Sequence, residues 1–338
     1  MGALPSSWQQ VTWLTRLLTP LAAVFRAMTM GRRRWLQRRA TPNGAPLVVV
    51  GSIFIGGSGK TPLVIWLTRL AGELGYRPGI VARGYRGKTK GCCYAVDGNS
   101  DPAVVGDEAV MTARATGAPV VVGSDRCAAA QGLLAGAGCN LIISDDGLQH
   151  YRLHRDAEIL VLDSGHGLGN GRCLPAGPLR EPAGRLSEVD LVVTKGGRRA
   201  DLAIASYQLL PGDLTPVGGT APERKGTPEA GTKVHGVAGI GDPERFFAML
   251  RARPFDVVTH AFEDHHAYVR RDIDFGDDHP VVMTEKDAVK CVAYDDGRLW
   301  YLPVRVAPDE ALDQRARALL NGLNPRALDG PHAGEEGA

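Results

Sequence analysis

Apolar and polar positions along this chain follow two rhythms that alternate. Leu47, Val48, Val49 and Val50 form an unbroken apolar run, as expected of a strand covered on both faces, and across residues 61–74 the apolar positions recur at helical spacing. Further short apolar runs predict strands at 78–81, 120–122, 141–143, 159–162 and 191–193, with helices over 106–115 and 125–135 between them. Strands alternating with helices at this spacing predict an α/β fold with a parallel sheet and right-handed crossovers. Residues 86–105 are rich in glycine and lysine without periodicity and read as a long loop. A second, smaller α/β unit is expected from strands at 234–238, 255–260, 281–283 and 299–303, with Asp242 capping a helix that Pro243 begins and a last helix ending near residue 320. The Pro-, Gly- and Thr-rich stretch 211–231 between the units reads as a linker. The expected organisation is an N-terminal segment at 1–40, a first domain at 41–210, the linker at 211–231, a second domain at 232–324 and a disordered tail at 325–338.

The N-terminal segment breaks the pattern. From residue 8 to 30 it is strongly apolar, but Arg16, Pro20 and Arg26 interrupt it before it reaches the ~18 uncharged residues a spanning helix needs. No small-residue cleavage site follows, which argues against a secretory signal. Trp8, Trp13 and Trp35 stand among Arg16, Arg26, Arg32, Arg33, Arg34, Arg38 and Arg39, with no acidic residue in the first 40. Indoles and guanidiniums together suit the boundary between lipid headgroups and acyl chains, so an interfacial helix is expected, the alternative being an amphipathic helix that caps the core.

Composition adds little to this. The chain is 44% hydrophobic and 22% charged, ordinary values for a globular protein, and a net charge of +2 over 338 residues points to no partner by itself. No nucleic-acid or obligate protein partner is expected. Cys92, Cys93, Cys127, Cys139, Cys173 and Cys291 lack metal-ligand spacing, as in a reduced, cytosol-facing protein.

Chemistry concentrates after the first strand. Gly56, Gly57, Ser58, Gly59, Lys60 and Thr61, followed by Pro62, form a loop whose missing side chains let backbone N–H groups turn toward an anion at a helix N-terminus. Lys60 would reach the β- and γ-phosphates of a nucleotide, and Thr61 would offer its hydroxyl to Mg²⁺. Phe54 stands where the strict pattern has its first glycine. The strand at 141–143 runs on toward Asp145, Asp146, Gly147, Leu148, Gln149 and His150. Carboxylates at the C-terminal end of a parallel strand sit beside the phosphate loop in doubly wound folds, where Mg²⁺ needs oxygen ligands. Two adjacent aspartates on a strand point oppositely, so one of them acts through water or turns out with the chain. Gln149 and His150 are candidates to position nucleotide or metal-bound water. Three prolines in residues 174–182 predict a fixed loop carrying Arg180 and Glu181.

Taken together, these stretches resemble the tetraacyldisaccharide 4'-kinase family of lipid A biosynthesis. The matching pieces, in the family's order, are GGSGKTP at 56–62, ARGY at 82–85, GDEA at 106–109, DDGLQH at 145–150, PAGPLREP at 175–182, AGIGDPERFF at 238–247, FEDHH at 262–266 and TEKDAVK at 284–290. The chain departs from the family pattern at Ser52, Ala109, Asp242 and Lys195, none of which removes a group that carries chemistry. The resemblance implies a P-loop NTPase-like kinase domain with a smaller C-terminal α/β domain and an N-terminal membrane-associated helix. It also implies ATP and Mg²⁺ as cofactors, and a tetraacylated disaccharide 1-phosphate as acceptor at its 4'-hydroxyl. Asp107 and His265 are implied as the proton-accepting pair, with Asp264 and His266 left open as substitutes for the imidazole. Lys60 is implied as the catalytic cation, with Thr61, Asp145 and Asp146 holding the metal. Arg83, Tyr85 and Arg180 are implied as readers of substrate or nucleotide phosphate. The expected location is the cytoplasmic face of the bacterial inner membrane, peripheral or N-terminally anchored.

A Gly-Lys-Thr loop with an aspartate pair also suits a GTPase or metal-insertion NTPase acting on a protein. That reading expects a guanine-reading Asn-Lys-x-Asp element, which Thr284-Glu285-Lys286-Asp287 resembles only superficially. A peripheral membrane scaffold is a third reading, against which stand Lys60, Thr61 and Asp145.

Overall fold

The computed structural model describes residues 8–57, 59–84, 87, 93–203, 205–218 and 226–323. Ser58, Tyr85, Cys92 and the tail expected at 325–338 lie outside them. The chain begins with helices α1 (Trp13–Leu17) and α2 (Thr19–Gln37), then strand β1 (Leu47–Gly51), α3 (Lys60–Glu73), β2 (Pro78–Ala82), β3 (Tyr94–Val96), α4 (Pro102–Val105) and α5 (Asp107–Thr116). It continues through β4 (Val120–Val122), α6 (Arg126–Ala137), β5 (Leu141–Asp145), β6 (Ala157–Asp163), β7 (Leu191–Lys195), β8 (Ala205–Pro211) and β9 (Thr215–Pro216). The last elements are β10 (Lys233–Ala238), α7 (Pro243–Arg251), β11 (Asp256–Ala261), β12 (Val281–Thr284), α8 (Glu285–Cys291), β13 (Leu299–Leu302), β14 (Val304–Pro308) and α9 (Glu310–Gly322).

Two sheets organise these elements. The larger runs β14-β8-β7-β6-β1-β5-β2-β4-β3, and the smaller β11-β10-β12-β13-β9. β1 lies between β5 and β6, parallel to both, and its alternate residues feed two separate cores. Val48 and Val50 pack in one with Leu63, Leu67, Ile143 and, from α9, Leu312, Ala316 and Leu320. Leu47 and Val49 pack in the other with Leu133, Ile142 and Leu160. Each fully buried Val or Leu side chain contributes about 1.5–3 kcal/mol, so β1 and the loop it feeds are held from both sides.

The structure departs from the sequence expectations at several places. The sheets are mixed rather than parallel throughout, because β3 pairs antiparallel with β4, β14 with β8, and β9 with β13. The stretch read as a structureless loop at 86–105 contains β3 and α4, whose N-cap Asp101 accepts from the Ala103 N–H. The linker at 211–231 begins with the end of β8 and carries β9, which extends the smaller sheet. The second domain does not run on to residue 324 as one unit: β14 and α9 return to the larger sheet and its core. Pro20 stands in the first turn of α2, where its missing N–H costs nothing, so the helix continues through it. Asp242 caps α7 as expected, its side chain accepting from the Arg245 N–H, with Pro243 at the first helical position. Among the described residues no helix is long and apolar enough to cross a membrane.

Candidate active site

The loop after β1 is fixed by packing on its flanks. Phe54, the departure from the glycine pattern, is buried and bridges to Leu179 in the Pro-rich loop, whose Arg180 N–H donates to Ile53 O at 2.6 Å. Gly59 is left-handed at φ 80°, and a Cβ there would lie 2.4 Å from Lys195 Cδ and 2.8 Å from the Tyr207 hydroxyl, so a side chain would be both strained and crowded. That hydroxyl in turn donates to Gly59 O at 2.7 Å. α3 then starts at Lys60, with Pro62 in its first turn.

At the end of β5 the two aspartates diverge. Asp145 is the last strand residue and is buried, whereas Asp146 takes φ 52° and turns out with the chain. Thr61 donates its hydroxyl to Asp145 Oδ2 at 3.0 Å, and Lys60 Nζ lies 3.4 Å from Asp146 Oδ1. Arg180 is 3.7 Å from Asp146 and 3.4 Å from Gln149 Oε1. Burial, with the charges of Glu108 and Asp146, pushes the Asp145 carboxyl up to about 7 against the pull of Lys60 and Thr61. Its Oδ1 is buried without a hydrogen-bond partner. A carboxylate pair with an orphaned inward oxygen and an adjacent hydroxyl fits a hard divalent cation that takes oxygen ligands and keeps its remaining positions for phosphate and water.

Gln149 is tied in place, donating to Ser52 O at 3.2 Å and to Glu181 Oε1 at 2.7 Å. Glu181 is held by Arg185, which is 1% exposed and also pairs with Glu158. His150 is held neutral, its pKa lowered to about 4 by burial and by the neighbouring Arg126 and Arg83. Arg83 is exposed, and its charge acts on both Arg126 and His150. Arg126 and Glu108 belong to this site and were not singled out from the sequence. Arg126, at the first position of α6, is buried and lies in the field of both aspartates, with Nε and one terminal nitrogen lacking hydrogen-bond partners. Its helix reads from sequence as plain scaffold, and nothing local marks this arginine as turned inward.

The other half of the site straddles the two units. Asp107 opens α5 behind Gly106, whose φ of 94° aims the helix start, and it is 5% exposed. Its Oδ2 lies 2.8 Å from His265 Nδ1 and 3.9 Å from Lys290 Nζ, and its Oδ1 accepts from the Glu108 N–H at 2.8 Å. Burial alone would raise its pKa, but His265, Lys286 and Lys290 outweigh that and hold it below the usual carboxylate range. His265 takes φ 64° and donates its backbone N–H to Gly239 O at 3.0 Å. Of the three candidates left open, His265 meets Asp107, whereas His266 pairs with Asp272 at 2.9 Å and Asp264 lies 3.4 Å from Lys286. Lys286 also reaches Glu108 at 3.3 Å, the same carboxylate that acts on Asp145, so the metal-type pair and the Asp107–His265 pair belong to one site. Asp287, which a guanine-reading element would keep for a base, is fully buried and accepts from the Gly239 N–H and the Thr284 hydroxyl.

A sequence profile described as tetraacyldisaccharide-1-P 4'-kinase matches residues 14–321. The chain belongs to the tetraacyldisaccharide 4'-kinase family. Relatives in that family include the tetraacyldisaccharide 4'-kinase of Alkalilimnicola ehrlichii, 51% identical over 96% of this chain and 98% of that protein. The tetraacyldisaccharide 4'-kinase of Halorhodospira halophila is 47% identical over 96% of this chain and 98% of its own. The fold is that of a crystal structure of LpxK from Aquifex aeolicus in complex with ATP, with a TM-score of 0.72 at 24% identity over 91% of this chain and 99% of that one.

Proposed function

We propose that this chain transfers the γ-phosphoryl group of ATP to the 4'-hydroxyl of a tetraacyldisaccharide 1-phosphate. Beyond family membership, the observation that carries the reading is the meeting of a Lys60–Thr61–Asp145 cluster from one unit with an Asp107–His265 pair, 2.8 Å apart, that joins the other. Phosphoryl transfer asks a protein for positioning and charge neutralisation rather than covalent chemistry.

Within this reading Lys60 and the N-terminus of α3 hold the terminal phosphates, and Arg180 adds a second cation beside Asp146. Thr61, Asp145 and Asp146 would hold Mg²⁺, which when bound neutralises charge on the transferring group. Asp107 accepts the proton of the attacking sugar hydroxyl, and His265 orients that carboxylate. Arg83, Arg180 and Tyr85 are the candidates for reading substrate phosphate, the last lying outside the described residues. The substrate sits between the two units, where closure excludes water.

The acyl chains resist leaving a bilayer, each buried CH₂ contributing about 0.8 kcal/mol. On α1 and α2, Trp13, Leu17, Leu21, Val24, Met28 and Trp35 are all exposed and arginines flank them, while Ala22 and Leu36 turn inward. This supports peripheral attachment to a membrane surface, and the cytoplasmic face of the inner membrane is the location that goes with the proposed reaction. Leu17→Glu with Leu21→Glu should lower partitioning onto anionic vesicles, and unchanged partitioning would count against it.

The deciding experiment incubates purified protein with labelled ATP or GTP and the disaccharide 1-phosphate. A bisphosphorylated product formed from ATP is the expected outcome. Nucleotide hydrolysis without phosphoryl transfer to the lipid would overturn the reading.

A further inference from the structure

The TEKD segment at 284–287 is left without a task by the proposed reaction. Thr284 caps α8, and Asp287 is spent inside the fold, but Lys286 points elsewhere. Its Nζ lies 3.1 Å from His265 Nε2, 3.4 Å from Asp264 Oδ1 and 3.3 Å from Glu108 Oε1, in a side chain 15% exposed.

The donors and acceptors present decide what this arrangement means. An ammonium only donates, and an ionised carboxylate only accepts. With Lys286 on one ring nitrogen and Asp107 on the other, the imidazole between them carries its proton on Nδ1 and accepts at Nε2. The neighbourhood would otherwise favour a different state. Asp264 Oδ1 lies 3.8 Å from the same Nε2, so without the lysine His265 would stand between two carboxylates and gain a second proton. Lys290 lies 3.9 Å from the same Asp107 Oδ2 that meets the imidazole. Among the described residues, the charged and titratable groups around this ring include Asp107 and Glu108 from α5, Lys286 and Lys290 from α8, and Asp264 from its own loop.

We propose that Lys286 is a positioning residue for phosphoryl transfer, fixing His265 as the neutral Nδ1–H tautomer so that Asp107 remains the group that takes the sugar's proton. The inference rests on the Asp107–His265 reading above. The surrounding charges agree with it: burial works against the charge of Lys286, but Glu108, Asp107 and Asp264 outweigh it and keep the ammonium above the usual lysine range.

Two measurements on the full chain test it. Long-range nitrogen–proton NMR of histidine-labelled wild type, assigned through His265→Asn, should show His265 protonated on Nδ1 alone at neutral pH. A resonance pattern for the Nε2–H tautomer or for imidazolium would overturn the proposal. In the second, the pH profile of kcat is compared among wild type, Lys286→Met and Lys286→Arg. The acid limb should move up by about 1–2 pH units in Lys286→Met and return toward wild type in Lys286→Arg. A uniform loss of kcat with the limb unmoved would mean a structural role, and a raised KM for the disaccharide with the limb unmoved would mean a substrate contact. Either overturns the inference. Asp107→Asn and His265→Asn, run alongside, separate the two levels: full turnover in both sinks the dyad and this inference with it. Loss of turnover in both, with an unmoved limb in Lys286→Met, sinks only the role of Lys286.

Discussion

Asp107 and His265 are expected to act as one unit, and a double-mutant cycle measures that directly. The carboxylate is 5% exposed and 2.8 Å from the imidazole, so the two side chains form one buried hydrogen-bonded unit. Asp107→Asn keeps an oxygen that accepts from His265 while removing the proton acceptor. His265→Asn suits the partner position because φ there is 64°, a region asparagine tolerates and alanine does not favour. Removing a general base costs about 10²- to 10⁴-fold in rate, so each single variant should lose about that much kcat. The double variant should then fall within about tenfold of the more damaging single, as groups that act together do. Independent contributions would instead multiply, to about 10⁴- to 10⁸-fold.

The assay is transfer of labelled phosphate from ATP into the disaccharide in mixed micelles, with the ATP KM measured separately. The ATP KM should stay at its wild-type value, because the groups proposed to hold the nucleotide are Lys60, Thr61 and Arg180. Folding is the confounding effect. Lys290 at 3.9 Å loses an attraction of about 4 kcal/mol at an effective dielectric constant of about 20, while its separate pairing with Asp287 at 2.7 Å is kept. A thermal scan on each variant therefore accompanies the kinetics. Multiplying losses, or an Asp107→Asn enzyme with wild-type kcat, would refute the reasoning.

Lys60→Ala removes the cation beside Asp146 and should abolish lipid phosphorylation while leaving the fold intact by circular dichroism; near-normal turnover would rule out the phosphate-clamp role. Arg185→Leu removes the partner that buried Glu158 and Glu181 share, leaving Glu158 to Arg155 and Glu181 to Gln149, and should cost up to about 3–5 kcal/mol in denaturant unfolding, a loss below about 1 kcal/mol showing the cluster to be replaceable. His150 has a folded pKa of about 4 against 6.5 unfolded, so the unfolded chain binds a proton first as pH falls. Stability from this group is thus complete above 6.5 and declines by up to about 3 kcal/mol toward pH 4. His150→Asn should flatten that decline in acid-dependent melting curves, and curves identical to wild type would discard the assignment.

The strand–loop–helix at residues 47–74 was legible because everything that makes it is local: an unbroken aliphatic run, glycines, then helical periodicity. β14 was not, because it is short, ends in proline and finds its partner β8 about a hundred residues away, which no local pattern encodes. β3 hides for a similar reason in a stretch whose glycines and lysines suggest no strand. Within the candidate site, Lys60, Thr61 and Asp145, which the structure brings together, were proposed from motif chemistry, and Arg180 from the family resemblance. Lys286 and Glu108 were not, since a charge in the first turn of a helix reads equally well as a cap. Only the approach of α8 to α5 shows that these charges face each other across the two units.

The first turn of α5 gives that approach its consequence. Successive helical residues point about 100° apart, so Asp107 and Glu108 leave one backbone turn in different directions. Asp107 turns into the second unit, toward His265 and Lys290, while Glu108 turns toward Lys286 and raises the proton affinity of Asp145. The helix start itself is aimed by Gly106 at φ 94°, a conformation that a side chain would disfavour. A shift of α5 would therefore disturb the proton acceptor and the electrostatics of the metal-type pair together. The two halves of the proposed reaction would thus be coupled through α5, whose lysine partners Lys286 and Lys290 both lie on α8, and α8 is held by Asp287 at its buried base.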